Sequence, residues 1–228
     1  MKTLQATPTR PAAFSDSAPP DIHKSADYWE SYIRARGEAY RESWLNNYTV
    51  SHPGQAEVLA MVRQYGQTVA DRVERGQNLI FFGSKGTGKD HLMTAIIRQA
   101  IRATGRPVTW TTGADLFAAC KATFDERGNS DSDIIRQAIN APVWAISDPT
   151  PVFGERLTRY EAEILYRIAD GRSNHRRATF VSVNVLSRGD LDKTISPKTA
   201  DRFVCGAMTA FCHWPSFRTA TETANKPR

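Results

Sequence analysis

One segment constrains this chain more than any other. Gly83-Ser84-Lys85-Gly86-Thr87-Gly88-Lys89 fits the pattern G-x-x-x-x-G-K, with the apolar run Leu79-Ile80-Phe81-Phe82 before it and the helical stretch His91–Ile101 after it. A strand, a glycine-rich turn and a helix in that order form a phosphate cradle. The glycines let backbone N–H groups curl toward phosphate oxygens, the lysine reaches the outer phosphates, and the positive end of the helix points at them. Gly83, Ser84, Lys85, Gly86, Thr87, Gly88, Lys89, Asp90 and His91 are therefore the candidate nucleotide-binding residues.

The flanking pattern supplies the architecture around such a loop. Short apolar runs at 78–82, 108–111, 143–147, 179–183 and 208–212 alternate with helical stretches at 89–104, 114–125, 132–140, 158–172 and 197–206. That alternation predicts an α/β fold with a mostly parallel sheet and helices on both faces. Upstream, a helix is expected from Gln55 to Arg75, ended by Gly76. Another is expected over 26–48, where Trp29, Ile33, Tyr40 and Trp44 recur at spacings of 4, 7 and 4 and so share a face. Residues 1–25, rich in Pro, Ser, Thr and Ala, are read as a disordered tail, and 221–228 as a short second tail.

Two positions break the nucleotide-site pattern. The residue after the lysine is ordinarily Ser or Thr, whose hydroxyl ligates Mg²⁺; here it is Asp90. The second motif of such proteins is an apolar strand ending in acids. The candidate is Val143-Trp144-Ala145-Ile146-Ser147-Asp148-Pro149, which places Ser147 where the metal-site Asp belongs and Asp148 at the catalytic acid. A slip of one residue would make Asp148 the metal acid and put Pro149 at the base. In the first register the ligands are exchanged between the two sides of the ion. Asp90 and Ser147, with Asp148 beside them, would then serve Mg²⁺, since oxygen donors from either side suit a hard cation.

Charge is unevenly placed. The chain has 228 residues and a formal net charge of +6. Residues 171–228 hold ten Lys/Arg and four acids, so the whole excess lies in the last quarter, as expected either of a polyanion-binding face or of a solvated surface and tail. No apolar run reaches the roughly 20 residues of a membrane span, and the N-terminus lacks the apolar core of a secretory signal. Three cysteines without CxxC spacing exclude a disulfide framework and suit reduced thiols in the cytoplasm.

The ordered set GSKGTGKDHL, the strand-end Ser147-Asp148, Asn184 after the next strand, TADRFVCGA and CHWPSFR resembles the DnaC/IstB-like AAA+ ATPases over about residues 55–220. The resemblance implies a five-stranded parallel sheet in the order 5-1-4-3-2 with no C-terminal lid. It implies ATP and Mg²⁺ as cofactors, Asn184 as the polar group that orients the attacking water, and Arg202 as an arginine finger reaching a neighbouring subunit in a homo-oligomer. It further implies a DNA-replication accessory resembling a helicase loader, with a replicative helicase and single-stranded DNA as partners. The alternatives are a transposase-linked ATPase on duplex DNA, or a nucleotide-binding scaffold with little hydrolysis. By the same resemblance residues 26–54 would bind the partner through Trp29, Tyr40 and Trp44, although that apolar face could equally pack on the chain's own core.

Overall fold

The computed structural model describes residues 21–123, 131–151 and 156–217. The expected tail at 221–228 and residues 1–20 of the expected N-terminal tail lie outside them.

The first described element is α1 (Ile22–Arg36), which starts inside the segment expected to be disordered. Asp21 caps it by accepting from the backbone N–H of His23 at 2.9 Å. The helix expected over 26–48 stops at Arg36. Gly37 there adopts φ 113, a conformation open to glycine, and a single 3₁₀ turn (Glu38–Tyr40) follows. The apolar spacing continued past that point, but the chain did not. The expected helix 55–75 is two helices, α2 (Pro53–Gln67) and α3 (Val69–Glu74), broken at Thr68.

From β1 (Leu79–Gly83) onward the alternation holds. The order is α4 (Lys89–Thr104), β2 (Val108–Thr112), α5 (Gly113–Ala122), α6 (Asp131–Asn140), β3 (Val143–Ser147), α7 (Arg159–Asn174), β4 (Thr179–Val183), α8 (Arg188–Ile195), α9 (Pro197–Val204) and β5 (Met208–Cys212). Sequence pattern missed α8, whose eight residues hold too few apolar positions to show a period. The five strands are parallel in the order β2-β3-β4-β1-β5, the expected 5-1-4-3-2 written in reverse.

The sheet is buried on both faces. Leu79, Phe81, Val143 and Phe180 face a layer made by α1 to α4, and Ile80, Phe82, Ile146 and Val181 face α5 to α9. Each fully buried side chain of this size contributes about 1.5–3 kcal/mol, which is why β1 and most of β3 read as apolar runs while β4 alternates with small hydroxyl residues. The sheet's carboxyl edge, where β1 and β4 diverge to α4 and α8, is where a parallel α/β sheet presents its ligand site.

Trp29, Tyr32 and Ile33 of α1 are buried in the first layer. Arg98 of α4 lies 4.3 Å from the Trp29 ring centre and 3.4 Å from that of Trp44. Tyr32 bonds Thr94 at 3.1 Å. Of the aromatic face expected to meet a partner, Trp29 is thus built into the chain's own core, while Tyr40 and Trp44 are half-buried.

Candidate nucleotide site

The loop between β1 and α4 has the conformation a phosphate cradle requires. Gly83 sits at φ 147, and a Cβ there would lie 2.4 Å from the Cys212 carbonyl oxygen; Gly88 sits at φ 85 with the Tyr48 ring 2.8 Å from any added Cβ. No other residue type fits either place. The tip of the loop is braced from outside. Tyr48 Oη and Trp214 Nε1 both donate to the Thr87 carbonyl, at 3.1 and 2.9 Å, and Phe217 N donates to Gly86 O at 2.9 Å.

The loop walls a cavity of about 540 Å³, in the size range of small-ligand sites. Lys85 through His91 line it, while Gly83 and Ser84 lie behind and offer their carbonyls to Lys89. The Lys89 ammonium is almost wholly buried; it donates to those two carbonyls at 2.7 Å and to Asn184 Oδ1 at 3.0 Å. His91 lines the cavity but bonds the Trp44 carbonyl at 2.8 Å.

Asp148 and Asn184 come together as a pair. Asn184 Nδ2 donates to Asp148 Oδ2 at 2.6 Å, and Thr150 Oγ1 donates to Asp148 Oδ1 at 2.6 Å. Asp148 also holds φ 53, a left-handed conformation that costs a non-glycine residue about 1–3 kcal/mol and collects at functional sites. It is the first residue beyond β3, and its backbone N–H donates to Ser182 O at 2.7 Å, tying the turn to β4.

The two departures from pattern also meet. Ser147 Oγ lies 3.4 Å from Asp90 Oδ1, and Ser182 Oγ donates to the same oxygen at 2.7 Å. What the sequence did not disclose is Arg36, the last residue of α1. Its Nη2 lies 2.8 Å from Asp90 Oδ2, with the Arg36 side chain only 8% exposed. The N–H is not aligned on that oxygen, so the contact is an ion pair; Arg36 Nε and Nη2 have no aligned hydrogen-bond acceptor among the described residues. The guanidinium lies 3.6 Å from the Tyr40 ring centre and 4.6 Å from that of Trp110. Trp110 Nε1 in turn donates to Ser147 Oγ at 3.3 Å. No spacing rule links residue 36 to residue 90, so sequence gave no signal for this pair.

These residues do not fit a protein-held Mg²⁺. The charge of Asp90 is already met by a guanidinium, the strand end offers a hydroxyl engaged by an indole, and Asp148 is turned to Asn184 and Thr150. Mg²⁺ in a phosphate site is held by one or two protein oxygens beside phosphates and waters, and here every carboxylate oxygen of Asp90 and Asp148 already has a protein partner.

Arg202, on α9, does not line the cavity; its Nε donates to Asp170 Oδ1 at 2.8 Å. The basic last quarter is partly internal. Arg172 is buried, and Arg188 pairs with Asp192 and Asp201, whereas Arg176, Lys193 and Lys198 are exposed. Among the described residues no helix is long and apolar enough to cross a membrane.

A glycine-rich loop leading into a helix, at the carboxyl edge of a 5-1-4-3-2 parallel sheet, defines a P-loop protein of the AAA+ class. A family model described as IstB-like ATP binding protein matches residues 63–195, more than half of the chain, and the chain belongs to that family. It is 29% identical over 175 residues to the replicative helicase loader DnaC of Escherichia coli (strain K12), covering 76% of this chain and 68% of that protein. It is also 29% identical over 182 residues to DnaC of Buchnera aphidicola subsp. Schizaphis graminum, covering 79% and 71%. The fold matches the crystal structure of the DnaC helicase loader with a TM-score of 0.66 at 24% identity, over 76% of this chain and 98% of that one. It matches the crystal structure of DnaI with a TM-score of 0.59 at 16% identity, over 76% and 93%.

Proposed function

We propose that the protein is an ATP-binding accessory of DNA replication that works as a helicase loader does, with a replicative helicase and single-stranded DNA as partners. The observation that carries the reading is the chain of contacts Lys89–Asn184–Asp148 across the mouth of the P-loop cavity. The ends of β1, β3 and β4 bring together a phosphate-binding cation, a polar amide and a carboxylate.

In this reading ATP lies with its phosphates on the loop and on the N-terminus of α4. Lys89 leaves the Gly83 and Ser84 carbonyls for the outer phosphates. Asp148 accepts the proton of the attacking water, and Asn184 holds both water and carboxylate in line. Positioning and electrostatics supply the catalysis, since the protein does little covalent chemistry in phosphoryl transfer. Arg202 lies outside the cavity of its own chain, which suits a finger reaching a second copy in a nucleotide-bound homo-oligomer.

The test is ATP turnover by the pure full chain, titrated with single-stranded and duplex DNA. Stimulation by single strands supports the loader reading, and stimulation by duplex alone supports a transposition-type ATPase. A nucleotide-binding scaffold with little hydrolysis is favoured by the Arg36–Asp90 pair and by Ser147 at the strand end. Tight ATP binding without turnover under any of these conditions would establish it.

A further inference from the structure

The Arg36–Asp90 pair accounts for both departures from the P-loop pattern at once. We infer that Arg36 supplies, from within the chain, the positive charge that a divalent metal supplies in ordinary P-loop sites, so that ATP binds here without metal. The inference rests on the nucleotide reading of the cavity and names the cation of that site.

Position comes first. Arg36 lines the same cavity as Lys89 and Asp90, and Asp90 follows Lys89 directly at the start of α4. A cation held on Asp90 therefore stands beside the phosphate cradle. In ordinary P-loops the hydroxyl of this residue ligates the metal.

The guanidinium is also held there. Its side chain is 8% exposed, lies against the rings of Tyr40 and Trp110, and is fixed by Asp90 at 2.8 Å. Its platform is rigid, because α1 is anchored through buried Trp29, Tyr32 and Ile33. Nη2 is held by the Asp90 carboxylate, whereas Nε has no aligned acceptor among the described residues, which is costly for a buried donor unless a ligand supplies one. A phosphate oxygen is the acceptor that a guanidinium fork matches best.

The substitutions now make joint sense. A hydroxyl at position 90 could not anchor a guanidinium by charge, whereas a carboxylate does. With a carboxylate at 90, a second one at 147 would stand within about 4 Å of it and repel it. Ser147 instead contacts Asp90 and accepts from Trp110, the same ring that lies against Arg36. Asp90, Ser147, Trp110 and Arg36 thus form one unit that replaces a metal and its ligands.

The experiment is calorimetric titration of ATP into the full chain, once with Mg²⁺ and once with EDTA. The wild-type affinities are expected to agree within about threefold. Arg36→Gln is expected to lose about tenfold or more in EDTA, since a charge-assisted phosphate contact is gone. Asp90→Asn leaves α1 untouched and guards against a folding defect in the first variant; with the guanidinium unanchored, its affinity is expected to fall to a similar extent in EDTA and in Mg²⁺. The inference is overturned if wild-type affinity collapses about a hundredfold in EDTA, if Arg36→Gln binds as wild type there, or if Asp90→Asn loses affinity only when Mg²⁺ is present. Each of those outcomes leaves the ATP site standing. No ATP binding by the wild type in either buffer overturns both readings.

Discussion

The side-chain amide of Asn184 donates to the carboxylate of Asp148 across 2.6 Å. This contact joins the end of β4 to the turn after β3 and makes two residues 36 positions apart one element of the site. The amide's other end accepts from Lys89, so a change at the phosphates is felt at the carboxylate through a single side chain. Asn184→Ala should therefore disturb Asp148 while leaving the two bonds from Lys89 to loop carbonyls in place. The expected result is turnover reduced about 10²–10⁴-fold, as when a general acid–base group is lost, with ATP affinity nearly unchanged. Asp148→Asn should show the same split. Steady-state kinetics beside calorimetry checks it, and a matching fall in affinity would show that the pair holds nucleotide instead.

Lys89→Ala tests the cradle itself. The ammonium donates to the carbonyls of Gly83 and Ser84 and to Asn184, and in the proposed reading exchanges the carbonyls for phosphate oxygens when ATP binds. Losing a charge-assisted phosphate contact should weaken ATP binding by about 1.5–3 kcal/mol. Calorimetric titration measures this directly.

The parts of the molecule that sequence disclosed were those written in local pattern. The strand positions and the loop follow from apolar periodicity and glycine placement, and Asp148 falls at a strand end, where the pattern points; the sheet order and the choice of Asn184 came from the family resemblance. The rest depends on contacts between segments far apart in the chain. Arg36 meets Asp90 only because α1 folds back over α4, and Tyr48 and Trp214 meet at the Thr87 carbonyl from opposite ends of the sequence. Local signal failed at the N-terminus for a related reason. The apolar spacing of Trp29, Ile33, Tyr40 and Trp44 does not belong to one helix, because Gly37 turns the chain between the buried first pair and the half-buried second.

Arg202 is held by Asp170, which raises its pKa through a direct hydrogen bond. If it acts on a neighbouring subunit, Arg202→Ala should abolish turnover while sparing ATP binding. Mixing that variant with Lys89→Ala should restore part of the activity, since one subunit supplies the finger and the other the site. Asp170→Asn should leave turnover intact, because the pair only parks the side chain. Mixed-variant ATPase assays check all three, and an absence of rescue with a monomeric mass by light scattering would assign Arg202 a structural role.

Burial raises the thiol of Cys120 to about 11 and that of Cys212 to about 12, from an ordinary 9.0, while Cys205 is exposed. A thiol reagent should modify Cys205 in the folded protein and reach the other two only on unfolding. The same shifts set the alkaline limit. The unfolded chain releases these protons near the ordinary value and the folded chain holds them longer. Their contribution is therefore complete below about pH 9 and lost as pH rises through the folded values. Tyr32, Tyr48 and Tyr65, also raised by burial, add to the slope. Denaturation midpoints should fall above about pH 9, and Cys212→Ala should flatten that fall.

Arg172 belongs by sequence to the basic last quarter, yet it is a structural group. It is 1% exposed and donates to Thr179 Oγ1 at 2.9 Å and to the carbonyls of Ala138, Ala141 and Ala178 at 2.6, 2.8 and 2.5 Å. Those carbonyls close the C-terminus of α6 and the entries to β3 and β4, so one guanidinium ties together three elements. Burial lowers its pKa to about 9, which marks the cost of holding a cation there, and the hydrogen bonds offset that cost. Arg172→Met keeps the apolar stem and deletes every donor. With acceptors left buried at about 1–3 kcal/mol each, the loss should reach about 3–5 kcal/mol. An exposed change such as Lys198→Ala should stay within about 0.5 kcal/mol. DNA affinity, measured where both variants are folded, should separate the two differently. Lys198→Ala, through a lost phosphate contact, should lower the salt slope by about one if that face meets the strand, and Arg172→Met should leave the slope unchanged. A salt slope altered by Arg172→Met in the folded state would mean that the residue reaches the surface after all.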